Sequence, residues 1–170
     1  KLRWMNAEYI RKMDYETFTA HAAPYYEKVL PTDQTQKQVL CQILQQRLET
    51  FAEIPEKIAF LQALPDYDLA MYCHKKMKTD LPMSLGALEK AYGVLENLAD
   101  WEQEKIHDAL LQTAKEQGLK NGQMLWPVRV AVTGTQVTPG GAVEAAVLLG
   151  KQETLRRMKI GMEKIQKEQA

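Results

Sequence analysis

Residues 134–141, GTQVTPGG, place three glycines, two threonines and a proline between the apolar segments WPVRVAV and AVEAAVLL. A glycine-rich corner of this kind cradles phosphate when it follows the GxxxxGK[ST] spacing. There the lysine reaches the phosphates and the hydroxyl holds Mg²⁺. Here Gly134 and Gly140 stand one residue too far apart, and Gly141 occupies the lysine position. The dinucleotide pattern GxGxxG is absent as well, so the spacing argues against either kind of nucleotide loop. What remains is backbone chemistry. Thr138 suits a helix N-cap, Pro139 the first helical position and Gly150 the far end, which predicts a short helix over 139–149. Its first turn would be Pro139-Gly140-Gly141, where the unencumbered N–H groups of Gly140 and Gly141 could meet an acceptor at close range. The plainer reading is a tight turn between packed helices, and physics alone favours it.

The remaining candidates are sparse. His21, His74 and His107 show no ligand spacing such as HxxxH, and no serine sits in a GxSxG elbow. Glu102 and Glu104 read as a solvated helix face. No catalytic residue and no metal site is therefore expected. Two basic clusters stand out: Lys75, Lys76 and Lys78 in CHKKMK, and Arg156, Arg157 and Lys159 in LRRMK, of which Lys75, Lys76, Lys78, Arg156 and Arg157 are the candidate phosphate contacts. Each taken alone is more often ordinary solvated charge. Arg47 is sharper. At ~100° per residue its direction falls between Ile43 and Leu44 on an apolar stripe. An arginine there must snorkel, pair with an acid such as Glu53 or Asp66, or reach a ligand. Its rigid donor fork suits a base edge or a phosphate.

The elements that must position these groups read as helices. Leu2, Met5, Tyr9 and Met13 fit one helical face, and Asp14 caps a second helix that Pro24 kinks or breaks. Thr32 or Asp33 caps a third, with the stripe Leu40, Ile43, Leu44, Leu48 and Phe51, and Pro55 restarts the chain in IPEKIAFLQAL. MKTDLPM, 77–83, is the best linker. A helix with Leu85, Leu88, Tyr92, Leu95 and Leu98 follows. The next has an Asp100–Gln103 capping box and ends at Gly118. In WPVRVAVTG the valines alternate as in a strand, but no partner strand exists, and an isolated strand is unstable. A short helix is expected instead. The last helix, from about Gln152, presents Leu155, Met158, Met162 and Ile165, with a fraying tail. The expectation is an all-α chain of roughly eight to ten helices in two packed subdomains, 1–76 and 77–170.

The whole chain is compatible with that. It has 170 residues, is 45% apolar, and carries 22 basic and 22 acidic residues, enough apolar content for a core. Zero net charge argues against a strongly basic nucleic-acid coat, though not against a local patch. Cys41 and Cys73 form no CxxC, which points to neither a disulfide framework nor zinc but to a reducing, cytoplasmic compartment. No apolar run approaches the ~20 residues of a membrane span. The chain opens on Lys1 with its apolar pattern already under way, as expected of a piece of something longer.

Three segments in order, KLRWMNAEYIRKM, RLETFAEIPEKIAFL and WPVRVAVTGTQVTPGGAVEAAVLLGKQETLRRM, resemble the C-terminal part of bacterial-type glutamyl-tRNA synthetases. The resemblance runs over nearly the whole chain. It implies a helical anticodon-binding region, the α-helix cage, in two subdomains. It also implies binding of tRNA-Glu, with tRNA-Gln left open, and neither DNA nor a membrane as partner. A monomer is the default. The HIGH and KMSKS signatures of the catalytic half are absent, so ATP and Mg²⁺ belong to the parent enzyme and this part would not aminoacylate. The resemblance gives Arg47 the third anticodon base and puts Arg129 near the anticodon. It sets Thr138, Pro139, Gly140 and Gly141 against the first and second bases. Many members read TPGLF where this chain reads TPGGA, so side-chain contacts from Gly141 and Ala142 are lost while backbone contacts survive. The competing reading is a helical protein-interaction scaffold, consistent with amphipathic helices and zero net charge.

Overall fold

The computed structural model describes residues 2–169, with side chains from Asn6 onward. Nine α-helices and three short 3₁₀ turns, and no strand, occur among the described residues. Two compact units are formed: 1–63 with 137–140, and 64–136 with 141–170. The division falls at 63/64 rather than at the 76/77 linker. The 3₁₀ turn Leu69–Tyr72 explains the difference. It packs on helices of the second unit, and Trp126 Nε1 donates to the Met71 carbonyl at 2.9 Å.

The first unit holds α1 (Leu2–Lys12), α2 (Tyr15–Tyr26), α3 (Gln34–Leu44) and the one-turn α4 (Ile54–Lys57). The Leu2 and Met5 part of the expected α1 face lies outside the described side chains. Its remainder is not as expected: Tyr9 is 68% exposed, and Ala7 and Ile10 are buried instead. Asp14 caps α2 by accepting the Thr17 N–H at 2.7 Å. Pro24 does not break α2, but the helix ends two residues later. The α3 cap is Asp33, in a reciprocal box with Gln36. Phe18, Ala22 and Tyr26 of α2 are buried, as are Leu40, Ile43 and Leu44 of α3, Leu48, and Ile54 and Ile58 around α4. Phe18 lies against Phe51 with ring centroids 5.5 Å apart. The third helix is shorter than its stripe suggested. It stops at Leu44, and Leu48 reaches the core from the turn beyond it.

The second unit contains α5 (Leu81–Glu96), α6 (Gln103–Glu116), α7 (Asn121–Thr133), α8 (Ala142–Leu149) and α9 (Lys151–Gln169). Asp80 caps α5 through the Met83 N–H, so the end of the expected linker is the first turn of that helix. The Asp100–Gln103 box does not form. Asp100 pairs with Lys105 at 2.6 Å, Glu102 takes the cap position, and Trp101 donates to the Ala146 carbonyl. Gly118 does close α6, where Leu119 N bonds Ala114 O and Gly118 N bonds Lys115 O in a Schellman arrangement.

Helix α7 is the centre of this unit and packs on α5, α6, α8 and α9. Met124, Trp126, Val128, Val130, Ala131 and Val132 are all buried, which accounts for the valine run. A helix covered on every side needs apolar residues all round, and alternation then carries no strand information. The expectation of helix over strand holds, but Pro127 lies inside α7 rather than at its start.

The buried line of α9 is Thr154, Arg157, Met158, Gly161 and Ile165, with Leu155 and Met162 only half-buried. The expected face is therefore rotated toward Gly161. A Cβ there would stand 2.5 Å from Tyr72 Oη and 3.2 Å from Ala131 Cβ, so the approach of α9 to α7 and the 69–72 turn requires glycine. The helix runs through Gln169, past the point where fraying was expected.

Candidate nucleic-acid interface

The 134–141 corner differs in detail from the expected cap. Gly134 ends α7, its N–H on the Val130 carbonyl at 2.8 Å. Helix α8 starts at Ala142 with Gly141 as N-cap, so Thr138, Pro139 and Gly140 are loop, not first turn. Thr138 does not cap α8. Its hydroxyl donates to Gly140 O at 3.3 Å. The reason is Gly140, whose φ of 77° is a left-handed conformation that cannot continue into a helix. Gly141 is different: its backbone is extended, with φ −122°, and an added Cβ would meet only Glu144 Oε1, at 3.7 Å. The Glu144 carboxylate accepts the Gly141 N–H at 2.9 Å. One of the N–H groups expected to face an outside acceptor is thus used within the chain. Sequence reading missed Glu144, although its place three residues after Gly141 is the signal of a capping box. It also missed Val137, which stands 88% exposed beside Thr138.

Arg47 is not in the apolar stripe. The α3 helix ends three residues earlier, the projection ceases to apply, and the side chain is exposed. Its Nη1 donates to the Ile43 carbonyl at 2.7 Å, which caps the negative end of α3. The ion pair weighed with Glu53 does not form. That carboxylate accepts the N–H groups of Glu49 and Thr50 and lies 3.9 Å from Lys57, which together hold its pKa down against burial. Asp66 lies near Lys164. The loop 137–140 belongs to the same compact unit as Arg47.

In the second unit Arg129 is half-buried, its guanidinium 5.8 Å from the centre of the Trp126 ring. His74 meets the same ring edge-on at 4.4 Å. Trp126 therefore joins Arg129 to the root of the lysine turn. Lys75, Lys76 and Lys78 are exposed on that turn, which is held by Met77 N–H on His74 Nδ1 at 3.2 Å and by Thr79 Oγ1 on Tyr72 O at 2.6 Å. The second basic cluster is not a surface cluster. Arg156 is exposed and bidentate on Glu153, at 2.8 and 2.7 Å. Arg157 is 1% exposed, with Nε on Glu153 Oε2 and Nη1 on Val132 O, both at 2.7 Å. As a phosphate contact Arg157 is ruled out by burial, and the cluster reduces to Arg156. Arg156 and Arg157 together hold the Glu153 carboxyl down at about 2.

The described residues form helices and turns without a strand and offer exposed guanidinium and lysine groups. Residues 15–162 match the family described as anticodon binding domain, and the chain belongs to that family. It is 44% identical over 167 residues to a glutamate–tRNA ligase of Clostridium acetobutylicum, covering 98% of this chain and 34% of that protein. With the glutamate–tRNA ligase of Clostridium tetani it shares 48% identity over 168 residues, again 99% of this chain and 34% of the relative. The chain thus spans about a third of the length of the curated relatives it matches. A crystal structure of a glutamate tRNA ligase from Elizabethkingia meningosepticum, in complex with its amino acid, superposes with a TM-score of 0.79. The identity is 21%, covering 96% of this chain and 32% of that one. That likeness supports the helical fold expected from the sequence. Among the described residues, no helix is long and apolar enough to cross a membrane.

Proposed function

We propose that this chain is the anticodon-reading part of a glutamate–tRNA ligase and that its partner is tRNA-Glu. The observation that carries the reading is the family match together with 44–48% identity to glutamate–tRNA ligases over nearly the whole chain. Arg47 reads the third anticodon base. One face of its fork rests on the Ile43 carbonyl, which fixes the guanidinium plane and leaves the other donors for a base edge. Thr138, Pro139 and Gly140 meet the first two bases, Gly140 through backbone alone, and Gly141 lines the same corner without a side chain while Glu144 holds its N–H. Arg129 lies near the anticodon, and Lys75, Lys76, Lys78 and Arg156 supply phosphate contacts at the flanks. Unpaired anticodon bases suit such a surface because their edges can be splayed out and read. ATP, Mg²⁺ and the transfer of glutamate belong to the remaining two-thirds of the parent enzyme.

The test is filter binding of tRNA-Glu against an anticodon-swapped tRNA-Glu, at stated salt because phosphate contacts dominate affinity. The cognate form binds more tightly; equal affinity for the two sinks the base-reading role. Arg47→Gln loses discrimination at the third base while still binding.

A further inference from the structure

Gly140 and Gly141 share one peptide bond, and neither has a side chain to fix it. Gly140 sits at φ 77° and Gly141 at φ −122°. Glycine tolerates either sign of φ, so the plane between two glycines can turn over at little steric cost. Such a flip reverses the directions of the Gly140 carbonyl and the Gly141 N–H. These two positions present backbone alone, so the orientation of that plane decides what a ligand meets there.

Two side chains hold the plane. On one edge the Glu144 carboxylate accepts the Gly141 N–H at 2.9 Å. On the other the Thr138 hydroxyl donates to the Gly140 carbonyl at 3.3 Å. The first bond is shorter and its acceptor is charged, so it is the stronger restraint. Glu144 lines a cleft of about 400 Å³ with Gln103, Glu104 and His107, yet among the described residues it makes no hydrogen bond or ion pair except the one to Gly141. The Gly141 carbonyl accepts the Ala145 N–H at 3.1 Å, which ties Gly141 to the first turn of α8. Pro139 has no N–H to give. Within 139–141 this leaves the Gly140 N–H, which has no partner among the described residues, as the donor that a base edge can use.

We propose that Glu144 is a positioning residue for anticodon recognition: it locks the Gly140–Gly141 peptide so that the Gly140 carbonyl stays on Thr138 and the Gly140 N–H is the corner's one directed donor. The proposal rests on the anticodon-binding reading. Without Glu144 the flip frees the Gly141 N–H as a competing donor and takes the carbonyl away from the Thr138 hydroxyl. The requirement is for an acceptor at this place and not for its charge, so a glutamine carboxamide oxygen serves as well.

The experiment uses the full chain and anticodon hairpins of tRNA-Glu changed at the first, second or third anticodon base. In Glu144→Ala the preference for the cognate hairpin falls about fivefold at the first and second positions, the worth of one hydrogen bond, and is unchanged at the third. Glu144→Gln behaves as the wild type. Wild-type preference in Glu144→Ala overturns the proposal. So does a Glu144→Gln variant as impaired as Glu144→Ala, which would make charge the requirement. A loss spread over all three positions also overturns it, because removal of an ordinary helix cap weakens the scaffold without choosing among bases. Should Glu144→Ala not fold, Glu144→Asp keeps the charge and shortens the reach by one methylene; wild-type preference in that variant overturns the proposal equally. A wild type that separates none of the changed hairpins from the cognate one strikes the anticodon-binding reading itself.

Discussion

The end of α3 and the first turns of α9 each carry an arginine whose Nη1 donates to a helix carbonyl at 2.7 Å. The two have opposite fates. Arg157 is 1% exposed, and both its Glu153 partner and its Val132 carbonyl belong to the second unit's own structure. Arg47 is exposed and, among the described residues, has no carboxylate within ion-pair reach. The sequence pattern suggested the reverse, with Arg47 in an apolar stripe and Arg157 in a basic surface cluster. The comparison teaches that an arginine's role is set by where its helix stops and which face its neighbours bury. Charge and local composition do not decide it.

The largest expected effect breaks the buried side of the comparison. Arg157→Met leaves the buried Val132 carbonyl without its side-chain donor and Glu153 with Arg156 alone, and should cost about 3 kcal/mol of stability in urea unfolding. Next, Gly161→Ala puts a methyl against Tyr72 Oη and Ala131 and should cost about 1–3 kcal/mol by the same measurement. A cost for Arg157→Met below about 0.5 kcal/mol would show that its ion pair is not part of the scaffold.

Arg47→Gln tests the exposed side. Third-base discrimination should fall by about 1–3 kcal/mol in filter binding, while stability changes by less than about 1 kcal/mol through the lost carbonyl cap. A smaller effect separates the double glycine. Gly140→Ala forces a side chain into a left-handed backbone and should cost about 1–2 kcal/mol, whereas Gly141→Ala should be near neutral for folding, within about 0.5 kcal/mol.

The pH dependence belongs to the buried side too. The Glu153 carboxyl, held near 2 first by Arg156, lies below its unfolded value of 4.5. Its contribution to stability is therefore present above about pH 4.5 and is lost as pH falls from there toward 2. Acid titration by circular dichroism should show less loss over that window in Glu153→Gln than in the wild type. An unchanged acid limb would remove Glu153 as its source.

Much of the fold was legible. Asp14, Asp33 and Gly118 mark helix ends because caps satisfy orphan backbone groups with residues close in sequence. The helical reading of WPVRVAV also held, for want of any partner strand. The misses have a shared cause. The Asp100 cap was lost to an ion pair with Lys105, and the α8 cap passed from Thr138 to Gly141 once Gly140 turned left-handed. Tyr9 faces solvent although its spacing fits the stripe. In each case the pattern allowed two options, and a competing contact, a backbone turn or the packing of the helix selected the other one.

What this sequence determined by itself is the all-helical class, most cap residues, and the resemblance of three ordered segments to an anticodon-binding region. All of these rest on short-range periodicity and residue order. The tertiary structure alone decided which arginine is buried, where α3 stops, which face of α9 turns inward, and that Glu144 holds the Gly141 N–H. Burial and carbonyl partners arise from residues far apart in the chain, such as Arg157 and Val132, and no local pattern encodes their meeting.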